Sequence, residues 1–497
     1  MRPKHDLIPN TYAYETEALV TPNGFREYDA RWLFGKEINL LGVEELGLGL
    51  GTYIRETGVA PKVVTGHDYR SYSLSIKQAL ILGLMRAGCE VVDIGLATTP
   101  MCYLAQFELD VPCVAMVTAS HNENGWTGVK MGAQRPLTFG PDEMTRLKAI
   151  VLEGQGRARP GGSYVRVADF PERYIAAVTK GHRLSRPIRV IAACGNGTAC
   201  IVAPEALRRI GAEVIAMDTE LDYTFPKYNP NPEDLEMLHA MSAAVRAQGA
   251  DICLGFDGDG DRCGVVDDEG REIFADKIGV LVARDLSSRQ AGAKFVVDVK
   301  STGLFETDPV LKKNGAVTDY WKTGHSYIKR RTAELGAVAG FEKSGHYFFN
   351  PPIGHGFDDG VIAAIAILEM LDRAGGQKMS SLVDGLPKTW GSPTMAPFCP
   401  DDKKYAVVEA LTKEFEDAKA RGEKLLGQGI ARIITVNGVR VVLEDGTWGL
   451  VRASSNKPSL VVVVESPASE ANMRAIFHEL DTRLSRHPEV GEYDQRI

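Results

Sequence analysis

The sequence predicts an α/β protein with three similar α/β domains, which have mixed sheets, followed by a C-terminal α+β domain with an antiparallel sheet. Three observations indicate this fold class. One pattern of strand, small-residue turn, helix, glycine and next strand occurs three times along the chain. The last stretch of the chain carries hairpin turns between apolar strands instead. At 497 residues, the chain is also long enough for roughly three to four domains.

The repeated pattern is a βαβ unit in which each helix ends in basic residues and a glycine. Basic side chains suit the negative end of a helix dipole, and glycine adopts the left-handed conformation that often follows a helix. These glycines are Gly88, Gly211 and Gly315, and they lie 123 and 104 residues apart. Such spacings are domain-sized, so we expect separate domains and not a solenoid. The first strands of the three copies span residues 62–64, 188–191 and 295–298.

The C-terminal region predicts an antiparallel sheet. Asn437-Gly438 and Asp445-Gly446 are typical hairpin turns between apolar strands, and residues 460–465 form a further strand. A helix is predicted from about Ser469, a favourable N-cap, to Leu484. With loop-rich stretches as boundaries, we expect four domains, at residues 1–168, 169–273, 274–388 and 389–497.

The composition argues against several classes of partner. The formal net charge is −8, and nucleic acid and anionic membranes both attract a basic surface, so we expect neither as a partner. The longest apolar runs fall far short of the roughly 20 residues that span a bilayer. The N-terminus lacks the apolar segment of a secretory signal. The eight cysteines form no C-x-x-C motif, so we expect reduced thiols and a cytoplasmic location.

A serine stands on a turn of small residues after an apolar strand. Residues 114–117 are apolar, and Thr118 and Ala119 lead to Ser120. Ligand sites in α/β sheets lie at such strand ends, and turn amides can hold a phosphate. Lys130 follows ten residues later. Because adjacent residues seldom form a nucleophile–base pair, His121 does not predict a hydrolase. A capped loop without chemistry is the alternative.

Three carboxylates alternate with glycines in a second, acidic loop. Asp257, Asp259 and Asp261 lie between two strand-like segments, and hard oxygen ligands at this spacing suit Mg²⁺. An EF-hand would require Gly where Arg262 stands, Glu where Asp268 stands, and flanking helices. Arg262 beside a metal site indicates an anionic ligand, whereas a solvated acidic turn would need no such cation.

Two further loops can bind a sugar phosphate. In residues 340–346, Glu342 and Ser344 can grip neighbouring sugar hydroxyls. Residues 449–458, between strands of the last domain, offer Arg452 with hydroxyls and amides, which is a phosphate site without a Walker motif. A capped turn and an exposed hairpin loop are the respective alternatives.

With all four loops in order, the chain resembles the α-D-phosphohexomutases, and within that superfamily the bacterial phosphomannomutase/phosphoglucomutase group. The resemblance covers nearly the whole chain. The phosphoserine, metal, sugar and phosphate loops of the family correspond to residues 118–130, 257–262, 340–346 and 452–458. Further matching segments are residues 25–31, 298–300, 322–326 and 357–360.

The chain departs from the usual family pattern at a few positions. Glu123-Asn124 stands where two prolines are frequent, Thr127 where Asn is usual, and Trp32 where Gly is usual. Ser455-Asn456 replaces an Asn-Thr pair in the phosphate loop. None of these changes removes a catalytic group, but they leave the preferred sugar open.

The resemblance implies a phosphohexomutase that interconverts hexose 1-phosphate and hexose 6-phosphate, with mannose, glucose or both as the sugar. Ser120 would rest phosphorylated, and a hexose 1,6-bisphosphate would be both intermediate and activator. Mg²⁺ would be the cofactor, bound by Asp257, Asp259, Asp261 and Ser120. Small sugar phosphates would be the partners, and the four domains would surround a central cleft. The oligomeric state is left open.

The resemblance also implies roles for individual residues. Arg452 and its neighbours would hold the phosphate that is not reacting, while Glu342 and Ser344 would hold O3 and O4 of the sugar. The catalytic candidates are Ser120, Lys130, His346, His325, Arg31 and Arg262, among which Lys130, His346 and His325 are candidate proton acceptors. The substrate-binding candidates are Tyr28, Lys300, Thr323, Gly324, His325, Glu342, Ser344, His346, Arg452, Ser454, Ser455 and Asn456.

Three other functions compete with this interpretation. A phosphoglucosamine mutase would use the same chemistry on another sugar. A metal-dependent phosphatase would release inorganic phosphate and would not need the second phosphate site around Arg452. A non-catalytic sugar-phosphate binding protein would not need Ser120 beside the aspartates and Lys130.

Overall fold

The computed structural model describes residues 2–455 and 457–497. These residues form two compact units. The first comprises Met1–Ile278 and Ser344–Ser380, and the second comprises Gly279–Lys343 and Ser381–Ile497. Within the described ranges, no helix is both long enough and apolar enough to cross a membrane.

Twenty-one strands are described in this part of the chain. They are β1 (Ala30–Leu33), β2 (Lys62–His67), β3 (Glu90–Leu96), β4 (Cys113–Val117), β5 (Trp126–Gly132), β6 (Ser163–Arg166), β7 (Arg189–Ala193), β8 (Glu213–Met217), β9 (Ile252–Phe256), β10 (Cys263–Asp267), β11 (Glu272–Ile273), β12 (Lys294–Asp298), β13 (Val317–Trp321), β14 (Ala339–Phe341), β15 (Tyr347–Phe349), β16 (Trp390–Gly391), β17 (Lys424–Leu425), β18 (Gln428–Ile434), β19 (Val439–Leu443), β20 (Trp448–Ala453) and β21 (Leu460–Ser466).

Sixteen α-helices accompany these strands in the described residues. They are α1 (Tyr12–Thr16), α2 (Leu40–Glu56), α3 (Ser73–Arg86), α4 (Thr99–Glu108), α5 (Pro141–Leu152), α6 (Phe170–Thr179), α7 (Ala203–Arg209), α8 (Leu235–Gln248), α9 (Ala275–Arg289), α10 (Leu304–Thr307), α11 (Pro309–Lys313), α12 (His325–Leu335), α13 (Gly360–Arg373), α14 (Met379–Asp384), α15 (Lys404–Ala420) and α16 (Glu470–Leu484). Short 3₁₀ turns span Pro22–Gly24 and Thr198–Ile201.

The same strand topology occurs three times, as the repeated sequence pattern predicts. In each copy a central strand pairs in parallel with the two strands that follow it: β2 with β3 and β4, β7 with β8 and β9, and β12 with β13 and β14. The glycines that end the helices, Gly88, Gly211 and Gly315, have φ of +76°, +100° and +68°. Glycine adopts these left-handed values without a steric cost. The prediction of three similar α/β domains is confirmed.

The first unit contains two mixed sheets. Their strand orders are β1-β5-β4-β2-β3-β6 and β11-β10-β9-β7-β8. In the first sheet the antiparallel strand β5 lies beside β4, and in the second sheet the antiparallel strand β10 lies beside β9. Strands β4 and β9 are buried along their whole length, which explains their continuous apolar sequence. The polar residues that follow these strands at their carboxyl ends are buried as well.

The C-terminal domain lies in the second unit and has an all-antiparallel sheet, as predicted. Its strand order is β16-β21-β20-β19-β18-β17. The predicted hairpin glycines, Gly438 and Gly446, have φ of +80° and +87°. Helix α16 ends at Leu484, and the Ser469 side chain caps it by accepting from the Asn472 N–H. The four predicted domain boundaries and the central cleft stay predictions.

One expected loop is partly a strand. Strand β20 extends to Ala453, so Arg452 lies on the strand and the connecting loop begins at Ser454. Arg452 lies on the same face of β20 as Leu450 and Trp448, so its position fits the alternation of a strand. The prediction that the whole of residues 449–458 lies between strands is therefore wrong.

Candidate active site

Ser120 lies on a tight turn at the end of β4. Its φ is +54°, and its side chain is buried. A left-handed conformation is uncommon for a residue with a side chain and is kept only where the surroundings hold it. The Ser120 N–H donates to Thr118 Oγ1 over 2.8 Å. Ser120 Oγ also lies 3.2 Å from His121 Nδ1, a contact that the adjacency of the two residues did not predict.

A buried ion pair that the sequence analysis missed holds this turn. Asp68 follows β2, accepts hydrogen bonds from Thr118 Oγ1 at 2.9 Å and from the Ala119 N–H at 3.1 Å, and is paired with Arg70. Arg70 Nη2 donates to the Ser120 carbonyl oxygen at 3.1 Å. Asp68 directly follows the central strand β2, and Ser120 lies after the neighbouring parallel strand β4. Because neighbouring parallel strands end at the same edge of a sheet, this position was the available sequence signal that Asp68 lies near Ser120.

The acidic loop lies against the serine turn, as predicted. Asp257, Asp259 and Asp261 are fully buried between β9 and β10, and each offers a carboxylate oxygen within 4.8 Å of the others. Ser120 Oγ donates to Asp257 Oδ2 over 3.2 Å. The flanking elements are strands, which agrees with the rejection of an EF-hand.

Lys130 supplies a positive charge to this cluster. It lies on β5, and its Nζ donates to Asp259 Oδ2 at 2.9 Å and to Asp261. Burial by itself raises the pKa of Asp259, but the Lys130 charge and a hydrogen bond from Thr99 bring that pKa below its ordinary value. Burial and the neighbouring carboxylates raise the pKa of Asp257. The same carboxylates outweigh burial and raise the pKa of Lys130, so the amine stays protonated.

The cluster fits a hard divalent cation. Asp259 Oδ1 and Asp261 Oδ1 are buried and accept no hydrogen bond from the residues described. An anionic oxygen without a hydrogen-bond donor is costly to bury, and a cation bound by oxygen ligands removes that cost. The three carboxylates are therefore compatible with Mg²⁺, and Ser120 Oγ lies beside them.

Arg262 connects the acidic loop with His346. Its Nε lies 3.7 Å from Asp257 Oδ2 and donates to His346 Nε2 over 3.0 Å. Because His346 Nε2 accepts this bond, the ring proton of the neutral tautomer lies on Nδ1, which is 3.0 Å from Asp358 Oδ2. Arg262 Nη1 also donates to Glu233. Asp358 was part of a matched segment, but the sequence analysis gave it no role.

Arg31 approaches the serine turn from β1, the edge strand of the same sheet. It lies on β1 and is buried, and its Nε donates to Asp29 Oδ2 over 2.9 Å. Its Nη1 donates to Asn122 Oδ1, two residues beyond Ser120, over 3.2 Å. Tyr28, on the same segment, is also buried.

In the second unit, four of the predicted substrate-binding residues lie at the carboxyl ends of β12, β13 and β14. The Gly324 N–H donates to Glu342 Oε1 over 2.9 Å. Asp298, which ends β12, accepts from Thr323 Oγ1 at 3.3 Å and lies 3.8 Å from Lys300 Nζ. These parallel strands end at one edge, which brings the residues together as their positions after strands predict.

Two further predicted residues lie next to these segments in the sequence. His325 is the first residue of α12 and is buried. Ser344 is also buried, but it belongs to the first unit, whereas Glu342 belongs to the second.

The predicted phosphate loop follows β20 in the second unit. Arg452 is buried, and its Nη1 donates to the carbonyl oxygen of Ala453 over 2.8 Å. Gly438 lies against it, and a Cβ there would meet Arg452 Cβ at 2.5 Å. Ser455 is half-buried. Asn456 lies outside the described residues.

Lys404 holds the start of this loop and was not predicted. Its Nζ donates to the carbonyl oxygen of Ser454 at 2.6 Å and to that of Lys457 at 3.1 Å. Ser454 Oγ in turn accepts from the Lys457 N–H over 3.2 Å. No sequence pattern connects Lys404, at the start of α15, with a loop about fifty residues later.

Four domain descriptions of one protein family match the chain in order. They are phosphoglucomutase/phosphomannomutase alpha/beta/alpha domain I at residues 22–157, domain II at 172–270, domain III at 274–390, and the C-terminal domain at 399–483.

Known proteins of this family are similar over almost their whole length. A phosphomannomutase/phosphoglucomutase of Pseudomonas putida is 34% identical over 96% of this chain and 99% of its own. A phosphoglucomutase of Neisseria gonorrhoeae is 33% identical, over 91% and 95%. The crystal structure of a phosphoglucomutase/phosphomannomutase family protein from Burkholderia thailandensis has a TM-score of 0.84 and 30% identity, over 94% and 98%. The chain belongs to the phosphoglucomutase/phosphomannomutase family of α-D-phosphohexomutase enzymes, which confirms the resemblance of the four loops.

Proposed function

We propose that the chain interconverts hexose 1-phosphates and hexose 6-phosphates, of mannose, glucose or both, through a phosphoserine at Ser120 and a hexose 1,6-bisphosphate intermediate. One observation carries the proposal: Ser120 Oγ lies 3.2 Å from Asp257 Oδ2, at the edge of a buried cluster of three carboxylates. A serine in this place can carry a phosphoryl group beside a metal ion.

The charges near Ser120 suit a phosphoryl group. A phosphoserine brings a charge of about −2 at neutral pH. Asp257, Asp259 and Asp261 would hold Mg²⁺, which, when bound, neutralises part of the charge on the transferring group. Lys130 is a permanent cation that binds two of these carboxylates. Positive groups fixed in a buried site stabilise the charge that develops during transfer.

Phosphoryl transfer exchanges one P–O bond for another. The bond between phosphorus and Ser120 Oγ breaks while the bond to the attacking hexose hydroxyl forms, and that hydroxyl gives up its proton. The other phosphate of the bisphosphate later returns to Ser120. Because the carboxylates raise the pKa of Lys130, we assign it the role of a cation and not of the proton acceptor. His346 and His325 stay candidates for the acceptor, but His346 could accept a proton at Nε2 only after the Arg262 Nε–H releases that nitrogen.

Substrate recognition is assigned to residues of the second unit. Glu342, which already accepts from the Gly324 N–H, would bind O3 and O4 of the sugar. Arg452 would bind the non-reacting phosphate. O3 and O4 have the same configuration in glucose and mannose, which differ at C2, so this arrangement predicts activity on both sugars. A cytoplasmic location belongs to the same proposal.

A coupled assay tests this function. Purified protein would be given glucose 1-phosphate or mannose 1-phosphate, with Mg²⁺ and a trace of hexose 1,6-bisphosphate, and formation of the 6-phosphate would be followed. We expect turnover of both sugars, within about 100-fold of each other in kcat/KM because the difference at C2 is not bound. Release of inorganic phosphate without 6-phosphate formation would identify a phosphatase instead and would contradict the proposal.

A further inference from the structure

One face of the C-terminal sheet is covered by a segment of the third α/β domain, residues 299–303, which we term the 299–303 segment. Trp448 and Leu450 of β20 share this face with Arg452, because alternate residues of a strand point the same way. Trp448 and Leu450 form a buried apolar cluster with Val299 of the 299–303 segment. The opposite face of the sheet packs in a separate core with α15 and α16.

Arg440 joins the sheet to the backbone of the 299–303 segment. It lies on β19 opposite Leu450 and is 1% exposed. Its Nη1 donates to the carbonyl oxygens of Val299 and Ser301, both over 2.8 Å. These are the two residues on either side of Lys300. Arg440 therefore holds the backbone from which Lys300 extends.

Aromatic rings fix the orientation of the Arg440 guanidinium. Its central carbon lies 3.7 Å from the centroid of the Trp448 ring and 4.4 Å from that of Tyr320. Tyr320 also donates through its hydroxyl to the carbonyl oxygen of Thr302 over 2.7 Å. A planar guanidinium stacked on rings has little freedom, so its hydrogen bonds define the position of the 299–303 segment closely.

Glu465 fixes the other end of the same segment. It lies on β21 and is buried, and its Oε1 accepts from Thr302 Oγ1 at 3.0 Å and from the Gly303 N–H at 2.8 Å. The same oxygen accepts from Trp448 Nε1 at 3.1 Å. Arg440 and Glu465 thus bind neighbouring parts of one segment from two strands of one sheet.

We propose that Arg440 and Glu465 are positioning residues for the sugar phosphate, which hold Lys300 at a fixed distance from Arg452. This proposal rests on the proposed function, in which Lys300 and Arg452 bind the same substrate. Arg440 and Arg452 lie on the same face of adjacent strands. The 299–303 segment, which carries Lys300, is bound directly to Arg440. Two binding groups from separate domains are thereby connected through one set of direct contacts.

The first test compares Arg440→Met with a matched control, Arg483→Met. Arg483 is similarly buried and also lies over an aromatic ring, with its central carbon 4.6 Å from the Phe415 centroid. Its ion-pair partners all belong to the C-terminal domain. We expect Arg440→Met to raise KM and to lower kcat/KM by about 100-fold, because displacing a binding group by about 1 Å has effects of this size. We expect Arg483→Met to stay within about 3-fold of wild type.

A double-mutant cycle with Arg452→Ala tests the positioning role itself. If Arg440 aligns Lys300 with Arg452, the loss caused by Arg452→Ala is at least about 10-fold smaller in the Arg440→Met background than in wild type, since residues that act together are not additive. In the Arg483→Met background Arg452→Ala should retain its full effect. Additive effects in both backgrounds would overturn the proposal.

Hydrogen exchange gives a measurement that does not depend on activity. The Gly303 N–H is held by Glu465, so Glu465→Met and Arg440→Met should both speed exchange in a peptide covering residues 298–304, while Arg483→Met should not. If Arg440→Met does not fold, Arg440→Lys, which cannot reproduce the stacked planar donor, replaces it. If the wild type is active but the exchange rate and KM of these variants are unchanged, the positioning role alone is refuted. If the wild type is inactive, the proposed function is refuted.

Discussion

Lys130 is a buried cation in contact with the carboxylate cluster beside Ser120. It binds Asp259 and Asp261 directly and lowers the pKa of Asp259, while burial raises the pKa of Asp257, the carboxyl nearest to Ser120. The pKa of Asp261 is raised as well, by burial and by the charge of Asp259, although Lys130 contacts it. In the proposed function, a divalent cation would offset part of the charge that a phosphoserine adds to this cluster.

Asp359 is a buried carboxyl whose ionisation makes stability depend on pH. It caps α13 and accepts hydrogen bonds from Tyr174. Burial raises its pKa to about 6, with a smaller contribution from the charge of Asp358. An unfolded aspartate has a pKa of about 3.9. The folded state therefore binds this proton more tightly, and the resulting stabilisation is complete below about pH 4 and is lost as the pH rises through about 6.

The substitution Asp359→Asn removes this dependence and keeps the shape of the cap. We expect the free energy of unfolding of wild type, relative to Asp359→Asn, to fall by about 1 to 2 kcal/mol between about pH 5 and about pH 7.5. Urea unfolding of both proteins across this range measures the difference. Parallel stability curves would contradict a raised pKa at Asp359.

Single residues with a chemical signature were predictable, and residues that act through others were not. Ser120 and the three aspartates stand out because a turn and an alternating acidic loop are local patterns. Asp68, Lys404 and Arg440 form their contacts with residues that lie about fifty or more positions away. Nothing in the periodicity near these residues indicates such partners.

The serine turn and the metal loop meet at a glycine. Gly258 lies against the carbonyl oxygen of Ser120, and a Cβ at position 258 would meet that oxygen at 2.5 Å. The Thr198 N–H also donates to the Gly258 carbonyl oxygen over 3.0 Å, which holds the loop from its other side. The two loops are therefore in contact through backbone and have no space for an additional methyl group.

The substitution Gly258→Ala should separate Ser120 from the carboxylates. We expect kcat to fall by about 100-fold, because a displacement of about 1 Å at a reacting group has this effect. Gly391→Ala is the control, since a Cβ there would meet no atom within 3.6 Å. Steady-state kinetics of both variants, with circular dichroism to establish folding, measures the effect. Equal and near-normal kcat values would show that the contact between the loops does not matter.

At the level of elements, the sequence predicted the type of each main segment better than its ends. Helix α16 and its Ser469 cap were predicted closely because a serine is a clear signal for the start of a helix. Strand β20 extends further than expected, to Ala453, because Arg452 shares a face with apolar residues and does not interrupt the alternation. A charged residue such as Arg452 is misleading in a strand when it is buried.

At the scale of the whole molecule, three copies of one topology and a C-terminal antiparallel sheet divide into two compact units. The repeat was predictable because each copy carries its own turn and its own glycine. The division into units was not, since α13 follows the third copy in sequence but packs on α7 and β10 of the first unit. Asp359 and Tyr174 contribute to that association through a hydrogen bond between distant residues.

The central claim is that Ser120 carries the phosphoryl group during turnover. The most direct measurement incubates the protein with Mg²⁺ and hexose 1,6-bisphosphate labelled in both phosphates, and locates the label by peptide mass spectrometry. We expect one phosphoryl group per chain, on Ser120 alone, and release of the label as bisphosphate when unlabelled hexose phosphate is added. We expect no label and no mutase turnover in Ser120→Ala, because the nucleophile is absent. Full turnover by Ser120→Ala, or a label on another residue of the wild type, would contradict the account.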